Sequence, residues 1–75
     1  MIIVCDFDGT LCRRKWPDIG EANEALIGQL KECRENGNRV ILSTCRTGEK
    51  LNAAVDWCAE RGLEFDAVTP ALPWR

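Results

Sequence analysis

Two carboxylates, Asp6 and Asp8, stand one residue apart at the end of a short apolar run, Ile2-Ile3-Val4-Cys5, and Gly9 and Thr10 follow at once. Side chains alternate along an extended backbone, so this spacing sends both acids to one side and Phe7 to the other. Acids held that close repel unless positive charge sits beside them. A hard divalent cation such as Mg2+ is the usual answer, because it takes oxygen ligands and can keep its remaining waters. Gly9 lets the backbone turn sharply where a side chain would block a ligand. The same string also reads as an Asp-Gly turn with solvated acids, and the residues alone leave both readings open.

The elements that must position these acids follow from patterning. The β-branched run before Asp6 has the composition of a strand buried on both faces. Leu11 to Asp18 reads as a loop closed by Pro17, carrying the basic triplet Arg13-Arg14-Lys15 and Trp16. The triplet could draw in a phosphorylated substrate and Trp16 could stack on a ring, although a solvated basic loop is the plainer reading. Glu21 to about Asn36 is expected to be helical, with Ala22, Ala25, Leu26, Leu30 and Cys33 as its apolar face and Gly37 as its stop. Arg39 to Thr44 gives a second strand. A second helix runs from Thr47 and Gly48 to about Arg61, with Leu51, Ala54, Val55 and Cys58 inward, Trp57 beside them and Gly62 as its stop. Leu63 to Val68 gives a third strand, and residues 69–75, with two prolines, read as an irregular tail.

Asp6-Phe7-Asp8-Gly9-Thr10 after an apolar strand resembles the first motif of the haloacid dehalogenase (HAD) superfamily of phosphotransferases. That resemblance implies Asp6 as the nucleophile that takes the phosphoryl group, Asp8 as the general acid/base, and Mg2+ held by Asp6 and Asp8. The chemistry is sound in its own right: a carboxylate can form an acyl phosphate, and a second acid can serve the leaving oxygen and then the attacking water. Val40-Ile41-Leu42-Ser43-Thr44-Cys45-Arg46 is similar to the second motif of the family, an apolar strand ending in Ser or Thr. Thr44 takes that role, with Ser43 as the alternative. Its hydroxyl and the following N–H can each donate to a phosphate oxygen, and Arg46 could add a bidentate contact. Gly9, Thr10 and Cys45 complete the expected substrate-facing set, and the next helix points its N-terminus at the same place. Thr44 to Glu49 with that helix looks like a compact, capless branch of small hydrolases.

The fold implied is α/β, a three-layer Rossmann-like parallel sheet, of which residues 1–75 supply one partial domain, the N-terminal βαβαβ half. The strands should lie in sequence order, with right-handed crossovers placing both helices on one face. Strand one then lies at an edge and the other face stays uncovered. The family uses a later lysine and a later acidic pair; Lys50 falls in a helix and Asp66 in a strand, so neither takes those places. A homo-oligomer or a complementing C-terminal half is therefore an expected partner.

Composition narrows the rest. At 75 residues with 45% hydrophobic and 29% charged side chains, the chain suits one small globular unit. A net charge of -2 gives no general pull toward nucleic acid or membrane. No run has the length of a membrane span, and the N-terminal run lacks a basic leader. The five cysteines lack C-x-x-C spacing and there is no histidine, which argues against a disulfide framework and a zinc site and for reduced thiols in the cytoplasm. The expected activity is a Mg2+-dependent phosphatase acting on a phosphorylated small molecule, with a nucleic-acid end phosphate as a variant. The alternative is a non-catalytic HAD remnant that binds metal or phosphate or serves as an interaction module.

Overall fold

In the computed structural model, which describes residues 1–70, seven elements follow one another: β1 (Ile2–Asp6), β2 (Cys12–Lys15), β3 (Asp18–Ala22), α1 (Glu24–Glu35), β4 (Arg39–Thr44), α2 (Gly48–Glu60) and β5 (Ala67–Pro70). β1, β4 and β5 form a parallel sheet in that order, and β2 and β3 form a separate antiparallel ribbon. The fold is α/β, with the strand order that the alternation predicted.

Register decides which face is core. Ile3 pairs with Val40, and Cys5 with Leu42. Val40, Cys5 and Leu42 join Ile27 and Leu30 of α1 and Ala54 and Cys58 of α2 in one buried cluster, and Ile3 packs against it half-buried. Both helices therefore cover the same sheet face. On the opposite face Ile2 is 61% exposed and Val4 58% exposed, so β1 is buried on one side only. The two-faced burial expected from its composition is not met, because β1 is an edge strand and no described element packs over Ile2 and Val4.

Three boundaries differ from the sequence reading. The segment expected as a loop is a hairpin, whose register runs from Cys12 opposite Ala22 to Lys15 opposite Asp18. Gly20 makes the close approach workable, since an added Cβ would run into the Arg13 carbonyl. The hairpin consumes Glu21 and Ala22, so α1 starts at Glu24, capped by the Asn23 side chain accepting from the Leu26 N–H at 3.2 Å. The buried stripe of α1 is Ile27 and Leu30, with Ala25 facing solvent. Three-and-four spacing alone allows that rotation of the stripe. The third strand begins later, at Ala67, and continues through Thr69 and Pro70; residues 71–75, the rest of the expected tail, lie outside the described residues. Leu63 instead folds into the core ahead of β5, at 1% exposure.

Candidate active site

The site is assembled at the carboxyl edge of the sheet, where open parallel sheets present their functional loops. β1 and β4 are parallel neighbours, so their last residues arrive together: Asp6 lies in register with Ser43, and Thr44 is the next residue of β4. Phe7, 1% exposed, turns into the core and meets Trp57 edge to face at 5.6 Å between ring centroids. That burial fixes the backbone between the two acids.

A tight turn then carries Asp8. The Phe7 carbonyl accepts from the N–H of Thr10 at 3.2 Å and of Leu11 at 3.0 Å, while the Gly9 N–H donates to the Cys12 carbonyl at 2.9 Å. Gly9 sits at φ +82°, where L side chains are strained. Leu11 and Cys12, both buried, pin the far side of the turn. The amides of Gly9 and Thr10 are thus spent on the turn itself.

On the other strand, the Thr44 hydroxyl oxygen accepts from the Arg46 N–H at 3.1 Å. That contact uses a lone pair and leaves the O–H as a donor. Ser43 and Thr44 are buried, whereas Cys45 is exposed.

Arg46 is the most heavily engaged side chain of the site. Its Nε donates to Asp8 Oδ2 at 2.9 Å and its Nη2 to Asp8 Oδ1 at 2.7 Å. Nη2 also reaches the Asp18 carbonyl at 2.9 Å, and Nη1 the Pro17 carbonyl at 3.3 Å. The side chain is 1% exposed and lies over the rings of Phe7 and Trp16, 5.1 and 5.0 Å from their centroids. The hydrogen bonds that Arg46 donates to Asp8 hold the guanidinium above its ordinary pKa; burial opposes this and the charge of Asp8 adds to it. The fork expected to face an anion from outside is therefore turned onto Asp8, an anion of the chain itself.

The thiols around the site are muted. Burial, helped by the charge of Asp6, pushes Cys5 up to about 11, and burial is also the main cause that raises Cys12. The basic triplet stands on exposed β2, where Arg13 pairs with Glu21 at 3.5 Å. Two acceptors of the site, the carbonyls of Pro17 and Asp18, were beyond sequence reasoning, because a main-chain oxygen carries no residue-type signal.

Among the described residues no three His, Cys, Asp or Glu side chains gather around one point. The residues that would hold a cation are Asp6 and Asp8, the latter with both carboxylate oxygens already accepting from Arg46. Mg2+ commonly takes one or two protein carboxylates and completes its shell with water and phosphate, so this donor set suits it.

Residues 3–65 match the family model described as haloacid dehalogenase-like hydrolase. A solved structure, titled the structure of a conserved protein coded by a locus from Bacteroides thetaiotaomicron, is 43% identical with a TM-score of 0.87. The match covers 91% of this chain and 56% of that one, so the chain spans little more than half of that neighbour's length. No curated protein matches the chain. With a paired-acid turn after β1, a Ser-Thr end on β4 and a family match running from β1 to just before β5, the chain belongs to the haloacid dehalogenase-like hydrolases.

Proposed function

We propose that the protein is a phosphomonoester hydrolase that works through an aspartyl phosphate. The observation that carries this reading is the register of Asp6 with Ser43 at the carboxyl edge, with Thr44 next to it. A phosphoryl group placed there would lie between a nucleophilic carboxylate and a hydroxyl donor. In the first step an Asp6 oxygen bonds to phosphorus, the ester P–O bond breaks, and the leaving oxygen takes a proton from Asp8. In this reading Asp8 enters the step as the carboxylic acid and leaves it as the carboxylate that pairs with Arg46. In the second step Asp8 takes a proton from water as its oxygen bonds to phosphorus, and the bond to Asp6 breaks. Each carboxylate oxygen has a second lone pair, so the Arg46 fork orients Asp8 and still leaves room for a proton. Thr44 orients the phosphoryl oxygens. Mg2+, held by the Asp6 carboxylate and the Asp8 carbonyl, would supply charge neutralisation for the transferring group.

In this reading the family's lysine and later acidic pair come from a complementing C-terminal half set against the open face of Ile2 and Val4. The length of the solved neighbour beyond the matched region supports that assignment. The substrate is a phosphorylated small molecule, reached through an edge whose described loops are short. A second reading, a metal- or phosphate-binding remnant without turnover, is favoured by the fork itself, since a side chain of this same chain, Arg46, already neutralises Asp8.

The test is Mg2+-dependent phosphate release from an aryl phosphate, wild type beside Asp6→Asn. Release that disappears in the variant and with a chelator is the expected result. A folded wild-type chain that releases no more phosphate than Asp6→Asn rejects turnover by residues 1–75 alone and leaves the binding reading for them.

A further inference from the structure

We infer that Arg46 is a positioning residue that makes Asp8 and the tip of the β2–β3 hairpin move as one unit. One planar guanidinium holds both oxygens of Asp8 on one side and the carbonyls of Pro17 and Asp18 on the other. The two sets share a nitrogen: Nη2 gives one hydrogen to Asp8 and the other to Asp18. A shift of the tip therefore pulls on the same group that orients the carboxylate.

Besides Arg46, the far end of the hairpin is held by Ile19, which packs half-buried against the core, and by Lys50 over the Trp16 ring at 5.9 Å; neither of these contacts reaches Asp8. The two strands of the hairpin pair with each other and not with the parallel sheet, and a lone two-stranded ribbon is marginal in water. At its base Cys12 is buried, and the Asn23 N–H donates to the Leu11 carbonyl at 2.8 Å. Along its outer length, residues 13–18 are exposed. At the tip, Arg46 is the hydrogen-bonded cross-link, enclosed between the rings of Phe7 and Trp16. A lysine in its place would bring charge without the fork, and could not hold four acceptors in one plane. The inference rests on the proposed role of Asp8 for its catalytic meaning: a hairpin that opens for substrate would re-aim the acid/base group.

Amide hydrogen exchange of the whole chain tests it, because exchange reads local opening without requiring turnover. Four forms are compared with wild type: Asp8→Ala, Arg46→Lys, Arg46→Gln and the Asp8→Ala/Arg46→Gln double variant. Each single change is expected to accelerate exchange in the hairpin amides more than twofold while β4 amides keep their rates. The double variant is expected to exchange no faster than Arg46→Gln alone, since both changes break one link. An arginine that merely buttressed the tip would hold the two carbonyls whatever stood at position 8. Hairpin exchange within twofold of wild type in Asp8→Ala overturns the inference, as does full additivity in the double variant. If Asp8→Ala loosens β4 as well, Asp8→Asn, which keeps an oxygen acceptor and loses the charge, is judged by the same criterion. An absence of phosphatase activity leaves this result standing.

Discussion

Arg46 and Asp8, 38 residues apart in sequence, meet through two parallel hydrogen bonds of 2.9 and 2.7 Å. The pair joins the loop after β4 to the turn after β1, the two segments that carry the motif residues. It is a charge pair taken largely out of water, with the Arg46 side chain 1% and the Asp8 side chain 21% exposed. Such pairs add little over an apolar replacement of both partners, but breaking one from one side leaves an uncompensated charge.

Removing the cation is therefore expected to cost more than removing an ordinary surface arginine. Arg46→Ala should lower stability by about 3 kcal/mol, because Asp8 and two carbonyls lose their donor together. Arg13→Ala, at an exposed pair with Glu21, serves as the control and should lie within about 0.5 kcal/mol of wild type. Urea unfolding of the two variants side by side decides it, and equal midpoints would show that the fork carries no stability.

Phe7 is the second structural requirement of the site. It is fully buried between two acids that both need access to the sheet edge, and its ring meets Trp57 and lies under the Arg46 guanidinium. Phe7→Ala should cost about 3–5 kcal/mol, a large fraction of what a domain of this size has. Phe7→Leu keeps most of the volume and should cost under about 2 kcal/mol. Thermal melts would separate the two; a Phe7→Ala chain that melts with wild type would mean that the turn is held by Leu11 and Cys12 alone.

Much of this architecture could be read before the fold was known, and the failures have physical causes. The acid pair, the Ser-Thr end of β4 and the stripe of α2 were legible because each couples residue type to a period. Leu51, Ala54, Val55 and Cys58 fit one helical face and no strand. The hairpin was not legible, because Arg13-Arg14-Lys15 carries no alternation and its strands are held by main-chain bonds rather than by a buried face. Ile27 was missed because a three-and-four pattern admits a stripe rotated by one position. The partner of Arg46 was missed for another reason: the spacing pointed its fork at an external anion, and only the fold brings Asp8 within reach. Leu63 and Phe65 looked like strand residues, but they pack as a connection in which Leu63 donates to the Cys58 carbonyl at 3.0 Å.

Asp66 gives the chain a pH dependence at its acid end. One carboxylate oxygen accepts from the Val40 N–H at 2.8 Å and the other from Arg34 at 3.1 Å, and both contacts hold its pKa below the ordinary 3.8. A depressed carboxylate stabilises the fold above its unfolded pKa, and that contribution fades as pH falls from about 3.8 through the lower folded value. Asp66→Asn should unfold at lower urea than wild type at pH 7, and the gap should narrow steadily below pH 3.8. A gap of constant size across that range would mean that the effect is one of shape rather than charge.

The five thiols should separate by burial when challenged with an alkylating reagent. Cys45 is exposed and Cys33 half-buried, while Cys5, Cys12 and Cys58 sit in the core. Burial pushes Cys58 up to about 12 and Cys5 up to about 11, so at pH 8 neither has a useful thiolate fraction even where reagent could reach it. Mass spectrometry of the native chain at pH 8 should therefore find Cys45 labelled first, and the three core thiols labelled only when denaturant is added. Because Cys5 precedes Asp6 and Cys12 closes the turn after Asp8, their protection also reports on the site itself. A variant that opens the turn, such as Phe7→Ala, should expose Cys12 before global unfolding. Protection of Cys12 that is lost only together with that of Cys58 would place the turn in the same cooperative unit as the helices.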